Sequence, residues 1–225
     1  MAPETKAVIV LCLLAGLALA LPWLAWIRLR RLERKYGNIL LVRGISGAQA
    51  ARIILLRGEI PQVGVDETTV ALNDYYSAFE PAIKLSPDVY HGKRLFDVAR
   101  AARLAGHALQ HRDRKLGNLA SWDSFMILWG NAWPVILVLS LTSKGRSFIY
   151  ILIAFSILSG MLTLAHSLKH NLVTDAARRG RQELEAAQLL EGHPAKEIEA
   201  AFLCARLEHL ALPYSRTWWR LLFSR

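Results

Sequence analysis

Cysteine is almost missing from this chain: Cys12 and Cys204 are the two among 225 residues, one in an apolar run and one in a late helical stretch. Neither has a neighbour at the spacing of a disulfide framework or a zinc knuckle, so a small cross-linked scaffold is excluded and the redox compartment stays open. No internal repeat and no low-complexity linker breaks the sequence, and the length allows one domain or at most two. Acidic residues are also scarce. Eighteen Asp and Glu against 28 Lys and Arg leave a formal charge of +10. Such an excess suits nucleic acid or an anionic membrane face; no nucleic-acid recognition motif accompanies it, and the cations sit beside long apolar runs. The lipid bilayer is therefore the expected partner, and nucleic acid is not.

Charge is missing altogether from Ala7 to Ile27, a run of 21 residues. That length suffices for a helix to cross a hydrocarbon core about 30 Å thick. A cleaved signal peptide would start basic and leave through small residues. This run starts after Glu4 and Lys6 and leaves through Trp23, Trp26 and the cluster Arg28, Arg30, Arg31, Arg34, Lys35, so it reads as a retained anchor. The cluster places the N-terminus outside and the following segment on the cytoplasmic side. Two more apolar runs, 124–143 and 148–165, are divided by a short basic loop and predict a helical hairpin. The expected organisation is a tail over 1–6, transmembrane helices over 7–27, 124–143 and 148–165, a domain over 28–121, and cytoplasmic or interfacial helices over 166–225. Pro213 and interior charges argue against a fourth crossing in the last segment, which carries Trp218, Trp219 and Arg220.

Between the first and second runs lies a block of mixed pattern. Ser46 followed by Ala50, Ile53, Ile54 and Leu55 predicts a capped helix that ends near Gly58. Short β-type pieces follow at Gln62 to Val65, Thr68 to Leu72 and Ala82 to Leu85. Ser86-Pro87-Asp88 starts a turn or helix, and a longer helix runs from about Lys93, with no proline from Leu95 to Leu116. The fold class is α+β, mainly helical.

Within that longer helix, Arg103-Leu104-Ala105-Gly106-His107 puts Arg103 and His107 one turn apart on the same face. A zinc peptidase would have His-Glu-x-x-His there. Arginine offers donors only and repels a cation, and leucine has no proton to move, so the first ligand and the general base are both missing.

The flanks give this pattern its context. Gly106-His107-Ala108-Leu109-Gln110-His111 matches the second half of a zinc helix that reads His-Glu-x-Gly-His-Ala-Ile-Gln. Leu85-Ser86-Pro87-Asp88-Val89-Tyr90 matches a Leu-Ser-x-x-Val-Tyr step. Leu72, Asp74 and Tyr76 fall on an Asp-His-Tyr-Asp-Pro signature, here Asp74-Tyr75-Tyr76-Ser77-Ala78. With Ser46-Gly47 and Ala51-Arg52-Ile53-Ile54-Leu55 before them, these segments make the chain resemble the YugP-type membrane neutral zinc metallopeptidases. The resemblance implies a small zincin-like domain, a bacterial inner-membrane location and a third ligand, a glutamate in a Pro-Val-Glu-Phe-Asn/Asp-Ala-Ser-x-Arg context. The register Asn171-Leu172-Val173-Thr174-Asp175-Ala176-Ala177-Arg178-Arg179 puts Val173 at that ligand position.

Arg103, Leu104 and Val173 thus depart from the family pattern together, and His107 is left as a vestigial ligand. The expected function is that of a catalytically impaired homologue acting as a binding, regulatory or scaffold subunit with a membrane protein partner, and no cofactor is expected. The alternative is an active zinc peptidase with a relocated site built from His107 and His111, or His166 and His170, each pair four residues apart; the other reading takes His111 as a position where the family itself often has histidine, and His166 and His170 as interfacial. Two further choices stay open. Asp74 and Tyr76, with Asp175, could line a remnant cleft, or Asp74 and Tyr76 could cap and pack a turn. Arg103 could pair with Asp74 or Asp175 in place of a metal, or face solvent.

Overall fold

The computed structural model describes residues 3–68, 74–117 and 146–215, with Trp122, Phe125 and Trp129. The chain divides into two units, one of residues 1–27, 122–169 and 210–225, the other of residues 28–121 and 170–209. Helix α1 covers Pro3–Tyr36, and its residues from Arg28 belong to the second unit.

The second unit is built on one helix. Ser46 caps α2 (Gly47–Arg57): its hydroxyl accepts the Gln49 N–H, and the Gln49 side chain accepts the Ser46 N–H. This is the helix the sequence predicts, ended at Gly58 as expected. After it come β1 (Gly64–Glu67), β2 (Tyr75–Ser77) and β3 (Ala82–Leu85) in the order β1-β3-β2, with β1 parallel and β2 antiparallel to β3. Two of the expected strand pieces correspond to β1 and β3. Of the third, Thr68 is not in a strand, though its N–H reaches the Leu85 carbonyl, and the rest falls outside the described residues. Strand β2 lies beyond it, where no strand was expected. Short helix α3 (Pro87–Tyr90) has proline in its first turn, where the missing N–H costs nothing.

Helix α4 (Leu95–Arg112) follows and is the axis of the unit. From Leu95 to Gln110 all residues except Arg100 are buried, because α2, α3, the sheet and a later helix all pack against it. Its start is pinned where Leu41 N–H meets the Lys93 carbonyl and Leu95 N–H meets the Ile39 carbonyl. The Asp97 carboxylate closes the first turn, taking both Nε and Nη2 of Arg94 at 2.7 and 2.8 Å. Each fully buried Leu or Ile, such as Leu95, Ile54 or Ile83, contributes about 1.5–3 kcal/mol.

Helices α6 (His170–Ala186) and α7 (Ala195–Ser215, of which 195–209 belong here) complete this unit, after α5 (Arg146–Leu168) in the other. α6 runs antiparallel to α4, since Gln110 meets Leu172, Gly106 meets Ala176 and Ala102 meets Gly180. The buried face of α6 is Val173, Ala176, Ala177, Gly180 and Leu184. Backbones touch at two points. A Cβ on Gly106 would collide with the Ala176 carbonyl, and one on Gly180 with the Ala102 carbonyl.

In the first unit, Trp23 and Trp26 meet edge to face, Trp129 stacks on Phe155 at 5.5 Å, and Lys169 lies over the Trp122 ring. The expectation of three transmembrane helices is corrected here: among the described residues no helix is long and apolar enough to cross a membrane. In α1 the described side chains pass from Ala20 into Arg28, Arg30, Arg31, Glu33, Arg34 and Lys35. α5 carries Ser156, Ser159, Thr163, His166 and Ser167 along its length. The remaining run, 124–143, lies outside the described residues except for Phe125 and Trp129.

The α4–α6 contact gives a sharp expectation. Gly→Ala inside a helix ordinarily stabilises by about 1 kcal/mol. Gly106→Ala should instead destabilise by about 1–3 kcal/mol, because a backbone carbonyl has to move. Gly16→Ala in α1, where nothing lies within 4 Å, is the control and should be neutral or stabilising. Thermal melts of the two variants beside the parent protein check the contrast.

Candidate functional site

The middle of α4 carries the positions that matter. Arg103 is 5% exposed, and its Nη2 lies 3.8 Å from Oε2 of Glu208 on α7. It therefore neither faces solvent nor pairs with Asp74 or Asp175, and both readings taken from the sequence are corrected. Glu208 also touches Arg100 Nε through its other oxygen, and Arg100 Nη2 reaches Glu33 of α1 at 2.7 Å. Asp97 stands 3.9 Å from Arg100 and holds Arg94. Burial acts to discharge Arg100, but the field of Glu208 and Glu33 outweighs it and raises its pKa above the usual arginine value. Burial raises the pKa of Cys204 as well, with Glu208 adding to the effect, so the thiol stays protonated. At 3.8 Å and an effective dielectric of about 20, the gross Arg103–Glu208 attraction is on the order of 4 kcal/mol. Removing each ion from water costs several kcal/mol in return, so the pair is needed once Arg103 is inside.

Leu104 is 2% exposed and Val173 is fully buried; both are core residues. His107, also buried, has its Nδ1 3.0 Å from Gln110 Oε1, while Gln110 Nε2 donates to the Leu172 carbonyl at 2.8 Å and to Asp175 Oδ2 at 2.9 Å. Two acceptors at Nε2 fix the amide orientation. Oε1 then faces the ring and Nδ1 carries the hydrogen; this is assigned from the hydrogen bonds. Asp175 also accepts from Arg178 and Arg179 at 2.5 and 2.7 Å. Burial would raise its pKa, but the hydrogen bonds from Arg178, Gln110 and Arg179 hold it well below the usual carboxylate range.

The other expected residues separate. Tyr76 hydrogen-bonds His111 Nδ1 at 2.7 Å, with the rings edge to face, and burial raises the pKa of its phenol. Asp74 accepts the Ser86 N–H at 2.6 Å and ties the approach to β2 to the end of β3, the turn-packing role. His166 ends α5 in the first unit and His170 begins α6 in the second, with a turn at Lys169, so the pair does not share one helix. His170 stacks on His209 at 6.3 Å; burial, then His209 and Arg206, lower its pKa to about 4. Among the described residues no group of three or more His, Cys, Asp or Glu could hold a metal. Sequence reasoning missed Glu208, Arg100 and Gln110 as participants. Arg100, Arg103 and His107 at spacings of three and four, with Asp97 the one carboxylate on the same helix, were the available signal that further counter-charge had to come from elsewhere.

Two pH windows follow. His170 has a depressed pKa, so its contribution is present above about pH 6.5 and lost as pH falls toward 4. The Asp175 contribution is present above about pH 4 and lost only on further acidification. Melting temperatures measured from pH 8 to pH 2 should show the first loss in full and the second under way. His170→Gln should flatten the first and Asp175→Asn the second, each leaving the other.

A family model described as "Putative neutral zinc metallopeptidase" matches residues 11–212. The chain is 31% identical over 96 residues to "Putative membrane protease YugP" of Bacillus subtilis (strain 168), an alignment covering 43% of each chain. The chain thus aligns with less than half the length of that relative. No solved structure matches. The family implies zinc, and the donor set does not fit it: a catalytic zinc takes about three protein ligands, whereas Arg103, Leu104 and Val173 provide no lone pair and Arg103 adds a positive charge. The match over residues 11–212 places the α4 helix, the sheet beside it and the α6 helix in one frame, and the chain belongs to the neutral zinc metallopeptidase family.

Proposed function

We propose that this family member no longer hydrolyses peptides and acts by binding, as a regulatory or scaffold subunit that holds a partner protein or an uncut segment. One observation carries the reading: the position of the first ligand is a buried arginine already committed to Glu208. The neighbouring Leu104 removes a general base, a loss of roughly 10²- to 10⁴-fold in rate even with metal present. Val173 fills the third position with hydrocarbon. His107, His111 and His170 each engage a different neighbour, which argues against a relocated site. The relative is named a membrane protease, and this supports a membrane protein as partner here.

The full chain, purified in mild detergent, tests this. Metal analysis should find zinc far below one per chain, and casein or a quenched peptide library should stay uncut with zinc added. Stoichiometric zinc, together with cleavage that o-phenanthroline abolishes, would overturn the reading.

A further inference from the structure

In the second unit, charges of both signs meet around α4, deep enough that each must be answered. Arg100 and Arg103 lie three residues apart on one face of that helix, and a single carboxylate, Glu208 of α7, lies between them with one oxygen toward each. Arg100 extends the set to Glu33 of α1, which Arg30 also approaches at 3.6 Å, and with Arg94 and Asp97 four guanidiniums meet three carboxylates. Arg103 Nε and Glu208 Oε2 are buried without a hydrogen bond of their own, which leaves opposite charge as what satisfies them. We propose that Arg103, Glu208 and Arg100 form a fixed-charge clamp that ties α4 to α7 and, through Glu33, to α1, from the helix position where a metal ligand would stand.

The polarity is reversed relative to a metal site. In a metal site the chain supplies lone pairs and the cation arrives from solution; here the cation is part of the chain and the carboxylates close on it. The tie therefore cannot be removed by a chelator, and restoring a histidine at position 103 would leave Glu208 with an excess of negative charge rather than create a zinc ligand set. The inference rests on the reading that zinc chemistry has been lost, since a bound zinc beside Arg103 would change the charge count.

A double-mutant cycle on the full chain decides the matter. Glu208→Met strands two buried guanidiniums and should lower the melting temperature by about 5–15 °C, as breaking a buried pair does in a chain of this size. Arg103→Met alone should cost less, because Glu208 keeps Arg100. Adding Arg103→Met to Glu208→Met should recover part of the loss, giving a coupled and not an additive result. Additive losses would overturn the clamp. If Glu208→Met does not fold, Glu208→Gln takes its place in the cycle, and recovery of a cooperative melt in the Arg103→Met/Glu208→Met double supports the clamp as well. Arg103→His should melt lower than the parent without taking up zinc; zinc uptake that restores the midpoint would overturn the clamp. EDTA is the separate arm: a lower melting temperature of the parent protein in EDTA would sink the loss-of-zinc reading, whereas the cycle reads the clamp.

Discussion

A guanidinium buried on α4 obliges the fold to bring a carboxylate to it, and much of the second unit follows from that need. Arg103 is inside because α4 is covered on nearly every side, by α2, the sheet and α6. Once inside it cannot be neutralised by losing its proton, as a lysine could, since arginine stays charged at any accessible pH. Glu208 answers it from a helix more than a hundred residues later, and Arg100 shares the same carboxylate. A buried ion pair at a defined position penalises any slide of α7 along α4, because a shift strands charge in a dry place.

The contact of α4 with α6 uses a different device. Against α6 the helix meets backbone with backbone at Gly106 and Gly180, and Gln110 then reaches across to the Leu172 carbonyl and Asp175. Close packing of small residues supplies contact but little directional preference, and the amide supplies the direction. Val173 fits the same logic, since a branched hydrocarbon on the buried face of α6 packs where a carboxylate would need either a metal or a donor.

How much of this could be read from the amino acids depends on the distance over which each feature is decided. The start of α2 is decided within four residues, by Ser46 and Gln49, and the sequence predicts it; strand β3 is similarly local. Strand β2 is three residues long and is held by pairing with β3, so its own residues carry little signal. The partner of Arg103 is decided by tertiary packing across more than a hundred residues, and no local pattern around Glu208 announces it. The expectation of membrane spans failed for another reason: counting uncharged residues does not weigh the serines, threonine and histidine spaced along α5, and among the described residues no helix is long and apolar enough to cross a membrane.

The residues that match the family's zinc helix survive here with tasks that need no metal. Gly106 is the only residue type that lets α4 approach the Ala176 carbonyl so closely. Gln110 joins α4 to α6, and His107 supplies the hydrogen that occupies the remaining Gln110 oxygen. Tyr76 fixes the far end of α4 to β2 through His111. A change at any of these would disturb packing or leave a buried polar atom without a partner, whereas Arg103, Leu104 and Val173 are each accommodated, one by a carboxylate and two by core packing. The family resemblance in this region is therefore a record of how the helices are held together. Arg103, His107 and Gln110 lie along one face of α4, so the positions that match the zinc motif and those that hold α6 share the same side of the helix.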